Sequence, residues 1–307
     1  MYLVPDQTGR TVVVTGANSG TGRAAATALA VAGARVVLAV RDPEKGADAL
    51  AGILAVRTDA QAEVRLLDLA DLASVRAFAE GLKRDLDRLD TLVNNAGVSV
   101  PPRRFETADG HELQWGTNFL GPFALTNLLL PLLLSAPAPR VATMASAAAN
   151  FGRIDFSDLD WERRTYRAMD AYSQSKLGDV HLAQHLARVA GKHGWSLLST
   201  AAHPGLTRTN LQVTGPSMGR EQPVRWNGGG LLPMMTPEDG AGSILLAAAG
   251  REAEAGGYYG PRYGLTGRPR RARLSRRMRD ARTATRLWAV AEEITSTAAP
   301  VRRPGRP

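Results

Sequence analysis

Tyr172 and Lys176 stand four residues apart in the stretch Tyr172-Ser173-Gln174-Ser175-Lys176. On a helix that spacing puts a phenol and an ammonium on one face, one turn from each other. A tyrosine with its ordinary pKa of about 10 is a poor base at neutral pH, but a neighbouring ammonium favours the phenolate and lowers that value. The pair can therefore pass a proton to or from a reacting oxygen. The chain has six tyrosines and only four lysines, Lys45, Lys83, Lys176 and Lys192. Coincidence would give this spacing in roughly one such chain in ten. Arginine is the basic residue nearly everywhere else, so a lysine here suits a role that needs a compact cation rather than a planar fork.

A second group of residues points to a phosphate-bearing ligand. The segment Thr15-Gly16-Ala17-Asn18-Ser19-Gly20-Thr21-Gly22 follows the β-branched run Thr11 to Thr15 and leads into an alanine-rich helical stretch ending near Ala32. Small residues let a backbone approach a pyrophosphate, and the unpaired amides and dipole of a helix N-terminus favour its charge. Gly16, Asn18, Ser19, Gly20, Thr21 and Gly22 are the candidates for that cradle.

The elements that must position these groups alternate along the chain. Predicted strands at Thr11 to Thr15, Arg35 to Val40, Val64 to Leu67, Asp90 to Val93, Arg140 to Met144 and Trp195 to Ala202 read as continuous apolar or β-branched runs. Helical segments separate them: one opened by Pro43, then Leu72 to Leu86, His111 to Leu134 and Tyr166 to Lys192. Such alternation implies an α/β fold with a single doubly wound parallel sheet and helices on both faces. Residues 210 to 235, with Gly215, Pro216, Gly219, Pro223 and the run Gly228 to Gly230, read as a mobile loop. A helix at Pro237 to Ala249 and a last strand at Gly257 to Tyr259 follow.

The glycine spacing, Gly-x-x-x-Gly-x-Gly, is one residue longer than the common dinucleotide fingerprint. It resembles that of the short-chain dehydrogenase/reductase superfamily, classical type. The resemblance runs from Thr11 to about Leu211 through several motifs in order, and is nearest to retinol-dehydrogenase-like members. It implies a Rossmann-like fold and a set of roles. Asp68-Leu69 resembles the pair that holds the adenine, and Asn94-Asn95-Ala96-Gly97 resembles the segment that closes the fourth strand. His203-Pro204-Gly205 and Thr209 match the segment that covers the nicotinamide. Ser146 resembles the serine that hydrogen-bonds the substrate oxygen, with Ala145 where the family often has a first serine. Asn118 resembles the asparagine that holds a water between the lysine and solvent. The implied catalytic group is Asn118, Ser146, Tyr172 and Lys176, with Lys176 also binding the nicotinamide ribose.

The resemblance implies an NAD(P)-dependent oxidoreductase that interconverts a carbonyl and an alcohol by hydride transfer. The second strand points to NADP rather than NAD. An NAD enzyme usually ends that strand with a carboxylate for the ribose 2′-hydroxyl. Here Val40 takes that place and Arg41 follows, able to bind a phosphate with its guanidinium. Asp42 tempers this, since it can pair with Arg41. The expected activity is an NADPH-dependent reductase of an apolar substrate, with Met218 and Trp226 of the 210 to 235 loop on one side of its pocket and Phe151 on the other. The alternative from another class is a catalytically silent NADP-binding sensor or regulatory protein. It would keep the glycine turn but has no use for a proton donor.

Composition bounds the rest. Cysteine is absent, which excludes a thiol nucleophile and Cys-ligated metals and fits a reducing, cytoplasmic setting. His181 and His185 have metal-pair spacing but no third ligand, so no metal is expected. Trp161, Trp195 and Trp288 read as packing residues. Met1 to Arg10 lacks the apolar run of a secretion signal, and Phe123 to Leu134 is shorter than the about 20 residues that cross a bilayer, so it reads as a buried helix. The net charge of +9 is confined to residues 268 to 307, where twelve arginines face Asp280, Glu292 and Glu293. Removing these from the 38 basic and 29 acidic residues of the chain leaves 26 of each in 1 to 267. The division expected is a catalytic domain, 1–267, and a basic C-terminal extension, 268–307. Contact of that extension with nucleic acid or an anionic membrane stands open, with a solvated segment preferred, and a homo-oligomer is also open.

Overall fold

Residues 2–224 and 234–300 are described by a computed structural model. In chain order they form β1 (Thr11–Thr15), α1 (Gly20–Val31), β2 (Arg35–Val40), α2 (Pro43–Val56), β3 (Ala62–Leu66), α3 (Leu72–Asp85) and β4 (Thr91–Asn94). Next come α4 (Leu113–Trp115), a π-helical turn (Gly116–Leu120), α5 (Gly121–Leu134), β5 (Arg140–Met144), a 3-10 turn (Ala147–Asn150) and α6 (Ala168–His193). The last elements are β6 (Leu198–Ala202), α7 (Leu211–Ser217), α8 (Pro237–Ala249), β7 (Tyr258–Pro261), β8 (Pro269–Arg271) and α9 (Ala281–Thr295). The strands make one sheet in the order β3-β2-β1-β4-β5-β6-β7-β8, parallel except for β8. This is the doubly wound, Rossmann-like α/β architecture expected, with its reversal of strand order between β1 and β4.

Side-chain alternation along the strands feeds two cores. Val13, Val37, Leu92 and Val141 face α3, α5 and α6 on one side of the sheet. Their neighbours Val12, Val14, Val36, Leu38, Val93 and Ala142 face α1, α2 and α8 on the other. Both faces are dry, which is why the central strands carry no polar stripe.

Several boundaries move for identifiable reasons. The strand expected from Trp195 begins at Leu198, because α6 ends on Gly194 at φ +66° and the Trp195 N–H turns back to the Ala190 carbonyl at 2.9 Å. Trp195 stacks instead on His193, with ring centroids 5.2 Å apart. Helix α6 starts two residues late because Tyr166 lies across the chain, its hydroxyl donating to Glu112 and accepting from Gln114, each at 2.9 Å. The apolar helix continues through α4, the π turn and α5 over Leu113–Leu134, 22 residues, so its length alone would reach across a bilayer. Its burial in the core explains the hydropathy.

The largest correction concerns the expected extension beyond residue 267. The described part of it, to residue 300, is built into the same body. β8 pairs antiparallel with β7, Tyr259 opposite Arg271, and the Ala272 N–H donates to the Tyr258 carbonyl at 2.7 Å. Asp280 caps α9, accepting from the amides of Arg282 and Thr283 at 3.0 and 3.2 Å. The helix then buries Ala284, Leu287, Trp288 and Ala291. Trp288 packs edge-on against Phe123 at 4.8 Å and on the His185 ring at 4.9 Å. Next to it His181 is buried with neither ring nitrogen hydrogen-bonded, and burial pushes its pKa down to about 4, which keeps it neutral. Among the described residues no cluster of metal-ligating side chains forms at His181 and His185 or elsewhere.

Trp288→Ala should therefore cost about 3 kcal/mol, the usual penalty for emptying a buried aromatic site. Urea unfolding of the full chain measures it. An unchanged midpoint would mean that α9 merely lies on the surface.

Candidate active site

The reversal of strand order opens a crevice at the carboxyl ends of β1 and β4, and the loops that follow them are tied together. The Thr15 hydroxyl, at the end of β1, accepts from the amides of Asn95 and Ala96 at 2.9 and 3.0 Å. The Asn95 side chain donates to the Thr15 carbonyl at 3.0 Å and accepts from the Thr21 hydroxyl at 3.0 Å. Thr15 was not singled out in the sequence, where it looks like any strand-end threonine. In the structure it locks the glycine turn to the Asn-Asn-Ala-Gly segment. Gly16 sits at φ +65°, and a Cβ there would lie 2.9 Å from the Ala96 Cα, so only glycine fits the junction. Asn94 goes the other way: its amide donates to the Thr126 hydroxyl on α5 at 3.0 Å, inside the core, which makes it an anchor of the loop rather than an open donor.

The N-terminus of α1 is open to an anion. Its capping residue Ser19 makes no side-chain capping bond, and the first turn has no acidic residue. The amides left unpaired there favour a negative group. Gly22 is packed against the Gly16 carbonyl and the Asn95 amide, which holds the turn tight over the helix end. Thr209 reaches the turn from beyond β6: a Cβ on Gly20 would stand 3.2 Å from its methyl group. The Thr209 amide and hydroxyl both donate to Gln212 Oε1, at 3.0 and 3.1 Å.

The segment before it is equally constrained. His203 is buried beside the Tyr258 ring, and burial pushes its pKa down to about 4. The Pro204 carbonyl accepts from Thr207 at 2.8 Å, and Gly205, at φ +67°, lies against the Leu265 carbonyl. The stretch expected as a mobile loop after residue 210 begins as a helix. α7 sits on the chain after β4, with Gly215 against the Ser99 backbone and the Ser99 hydroxyl donating to the Leu211 carbonyl at 3.2 Å. Met218 is half-buried at its end. Trp226 and the run Gly228 to Gly230 lie outside the described residues. Phe151 is 80% exposed, so it stands at a rim and lines no closed pocket.

The catalytic candidates lie beyond the glycine turn, around the ends of β4 and β5. Lys176 is buried on α6; its ammonium donates to the Met144 carbonyl of β5 at 3.0 Å and to Asp179 Oδ2 at 2.8 Å. Burial works against its charge, but the charges of Asp179 and Tyr172 outweigh burial and raise its pKa. Its Nζ lies 6.0 Å from the Tyr172 ring centroid. Asp179 is a residue the sequence reading missed; the signal was an acid three positions after the lysine. Gly97 closes the floor, where an added Cβ would lie 2.9 Å from Asn118 Oδ1 and 3.5 Å from Lys176 Nζ.

Asn118 sits on the π-helical turn. Its Oδ1 accepts from the Val98 amide at 2.8 Å, and its Nδ2 donates to the Val98 carbonyl at 3.0 Å and to the Ser175 hydroxyl at 2.9 Å. Both amide hydrogens are thus in use, and the side chain braces the loop after β4 against α6. Ser146 follows β5 and caps the 3-10 turn, its Oγ accepting from the Ala148 amide at 3.2 Å. The hydroxyl hydrogen is left for another acceptor. Gly152 packs on the Ser173 carbonyl, which brings this segment against the turn of α6 that bears Tyr172.

The adenine and phosphate candidates occupy the other end. Asp68, after β3, accepts from the Ala70 amide through Oδ1 at 2.9 Å, and Leu69 is buried against Gly121 of α5. Arg41 is exposed at the end of β2. Asp42 does not pair with it: the carboxylate caps α2 by accepting from the Lys45 amide at 3.1 Å and meets Lys45 Nζ at 2.8 Å.

Comparison with known proteins agrees with this arrangement. The short chain dehydrogenase family pattern matches residues 10–218. Retinol dehydrogenase 13 of Homo sapiens is 37% identical over 299 residues, spanning 95% of this chain and 86% of that protein. Polyprenol dehydrogenase of Mus musculus is 40% identical over 264 residues, 84% of this chain and 77% of that one. The crystal structure of an uncharacterized protein from Mycobacterium paratuberculosis superposes with a TM-score of 0.80 at 41% identity, covering 97% of both chains. A parallel sheet reversed between β1 and β4, a glycine turn, a buried lysine one helical turn from a tyrosine and this kinship together make the chain a member of the short-chain dehydrogenase family, a carbonyl/alcohol oxidoreductase similar to the retinol dehydrogenases.

Proposed function

We propose that the chain is an NADP(H)-dependent reductase that converts an apolar carbonyl compound into its alcohol. The observation that carries the reading is the buried ammonium of Lys176, one turn from Tyr172 and against the floor at Gly97. The residues present fit a dinucleotide: the uncapped amides of α1 at one end of the crevice and the Lys176 ammonium at the other meet what a pyrophosphate and a ribose require. Gly16, Asn18, Ser19, Gly20, Thr21 and Gly22 would cradle the phosphates, Asp68 and Leu69 the adenine, and Asn95, Ala96 and Gly97 the floor. Pro204, Gly205 and Thr209 would cover the nicotinamide. When bound, the reduced nicotinamide supplies a hydride.

The chain's own groups handle the oxygen and its proton. Ser146 donates its free hydroxyl hydrogen to the substrate carbonyl and Tyr172 donates a second bond, which together favour the charge that develops on that oxygen. Tyr172 then gives up its proton, and Lys176 stabilises the phenolate left behind. Lys176 also holds the ribose, while Asn118 acts at one remove by bracing the Val98 loop. The reverse steps oxidise an alcohol. An apolar substrate is favoured by the half-buried Met218 at the end of α7 and by the similarity to enzymes named for retinol and polyprenol.

Preference for NADP(H) rests on Arg41. No carboxylate is free at the end of β2, because Asp42 is engaged by α2 and Lys45. A guanidinium there can take a 2′-phosphate through charge-assisted bonds worth about 1.5 to 3 kcal/mol each. Cells keep that cofactor pool reduced, hence the assignment as a reductase.

Two substitutions test the proposal. Tyr172→Phe is expected to abolish turnover across a panel of ketones and secondary alcohols, with NADPH affinity by fluorescence titration kept within a few fold. Full turnover in that variant would remove the acid from the mechanism. Arg41→Ala should raise the KM for NADPH by about tenfold, equivalent to about 1.4 kcal/mol, and leave the KM for NADH nearly unchanged. Equal effects on both cofactors would contradict the phosphate contact.

A further inference from the structure

Helix α6 carries three polar groups in one stripe, Tyr172, Lys176 and Asp179, spaced by four and then three residues. The first two have roles in the reading above, and the third has none. Asp179 Oδ2 lies 2.8 Å from Lys176 Nζ, and the two side chains are only 2% and 5% exposed. Its other oxygen, Oδ1, is buried without a hydrogen-bond partner. A dry carboxylate with half of its acceptor capacity unused is costly to bury, and the countercharge of Lys176 is what offsets that cost. The pair is held together electrostatically. Burial pushes the Asp179 carboxyl up to about 7 against the opposing pull of Lys176.

The surroundings leave few other charges. Those acting on Lys176 are Asp179 and Tyr172, both on α6, and the one acting on Asp179 is Lys176. β5 contributes the Met144 carbonyl, and the loop after β4 and the π-helical turn contribute Gly97 and the Asn118 amide, none of them ionisable. Asp280, at the head of α9, acts on His181 and not on this pair.

We propose that Asp179 is a positioning residue that holds the Lys176 ammonium by one of its N–H groups and takes up part of its charge, so that Asp179 sets the pH at which Tyr172 changes protonation state. The proposal rests on Tyr172 being the acid/base group of this site. With the carboxylate charged, Lys176 is shared between two anionic partners. With it neutral, the charge of Tyr172 is the one left to hold Lys176 protonated against burial, and the ammonium's field falls on Tyr172 alone.

The test is a pH titration of tyrosinate absorbance in the full chain, with no cofactor or substrate present. The wild type and Asp179→Asn are each read against their own Tyr172→Phe counterpart, so that the difference reports Tyr172 alone. Asparagine keeps the shape and an acceptor oxygen and removes the charge. The expected result is a midpoint about one pH unit lower in Asp179→Asn than in the wild type, the size of effect a nearby charge exerts. Asp179→Ser, which leaves room for a water in place of the carboxylate, carries the same expectation and serves if the asparagine variant folds poorly. A midpoint that stays or rises in a folded variant overturns the proposal. Because the readout needs no turnover, the two readings fail separately. Activity retained in Tyr172→Phe would remove the acid/base role, whereas an unmoved midpoint removes only the coupling to Asp179.

Discussion

An ammonium held out of water is the constraint around which this molecule is arranged. A charge in a low-dielectric interior costs several kcal/mol unless its donors are satisfied and a countercharge is near. Lys176 meets both conditions with a carbonyl from β5 and a carboxylate from its own helix. The first requires α6 to lie close along the end of β5, which the packing of Gly152 on Ser173 and of Asn118 on Ser175 enforces. A charge kept this way is strong where it acts, because little water screens it from Tyr172.

The same economy of position explains the crevice. Where strand order reverses between β1 and β4, the following loops leave the sheet in opposite directions and open a slot. Thr15 keeps that slot from splaying by accepting from two consecutive amides across it. The glycines serve closeness as much as flexibility, since Gly16, Gly22 and Gly97 all stand where a methyl group would strike a neighbour. Opposite them, α7 and the Pro204 to Thr209 segment form the other wall.

Much of this was legible in the sequence, and the reasons are local. Continuous apolar runs marked the buried strands, the glycine turn marked the end of β1, and Tyr172 and Lys176 were readable because helical spacing converts directly into proximity. What could not be read depends on contacts between distant segments. Asn94 lies in a motif that suggests a site, yet its partner is Thr126 in the core. Asn118 also braces Val98 through its side chain, a contact that no local pattern announces. The arginines after residue 267 hid a helix whose apolar stripe, Ala284, Leu287, Trp288 and Ala291, has ordinary periodicity once the charge is set aside. Residues 211 to 217 contain Gly215 and Pro216, which read as loop, but the close seat on Ser99 favours a short helix.

The claim that Lys176 serves both the cofactor and the tyrosine is the one on which the account turns, and Lys176→Met tests it most directly. The measurement is NADPH affinity by fluorescence titration together with the single-turnover rate of nicotinamide oxidation in the presence of a carbonyl substrate. The account predicts that affinity falls by about tenfold or more, as expected for losing a charge-assisted contact to the ribose, and that the rate at neutral pH collapses. Wild-type affinity together with a wild-type rate would contradict it.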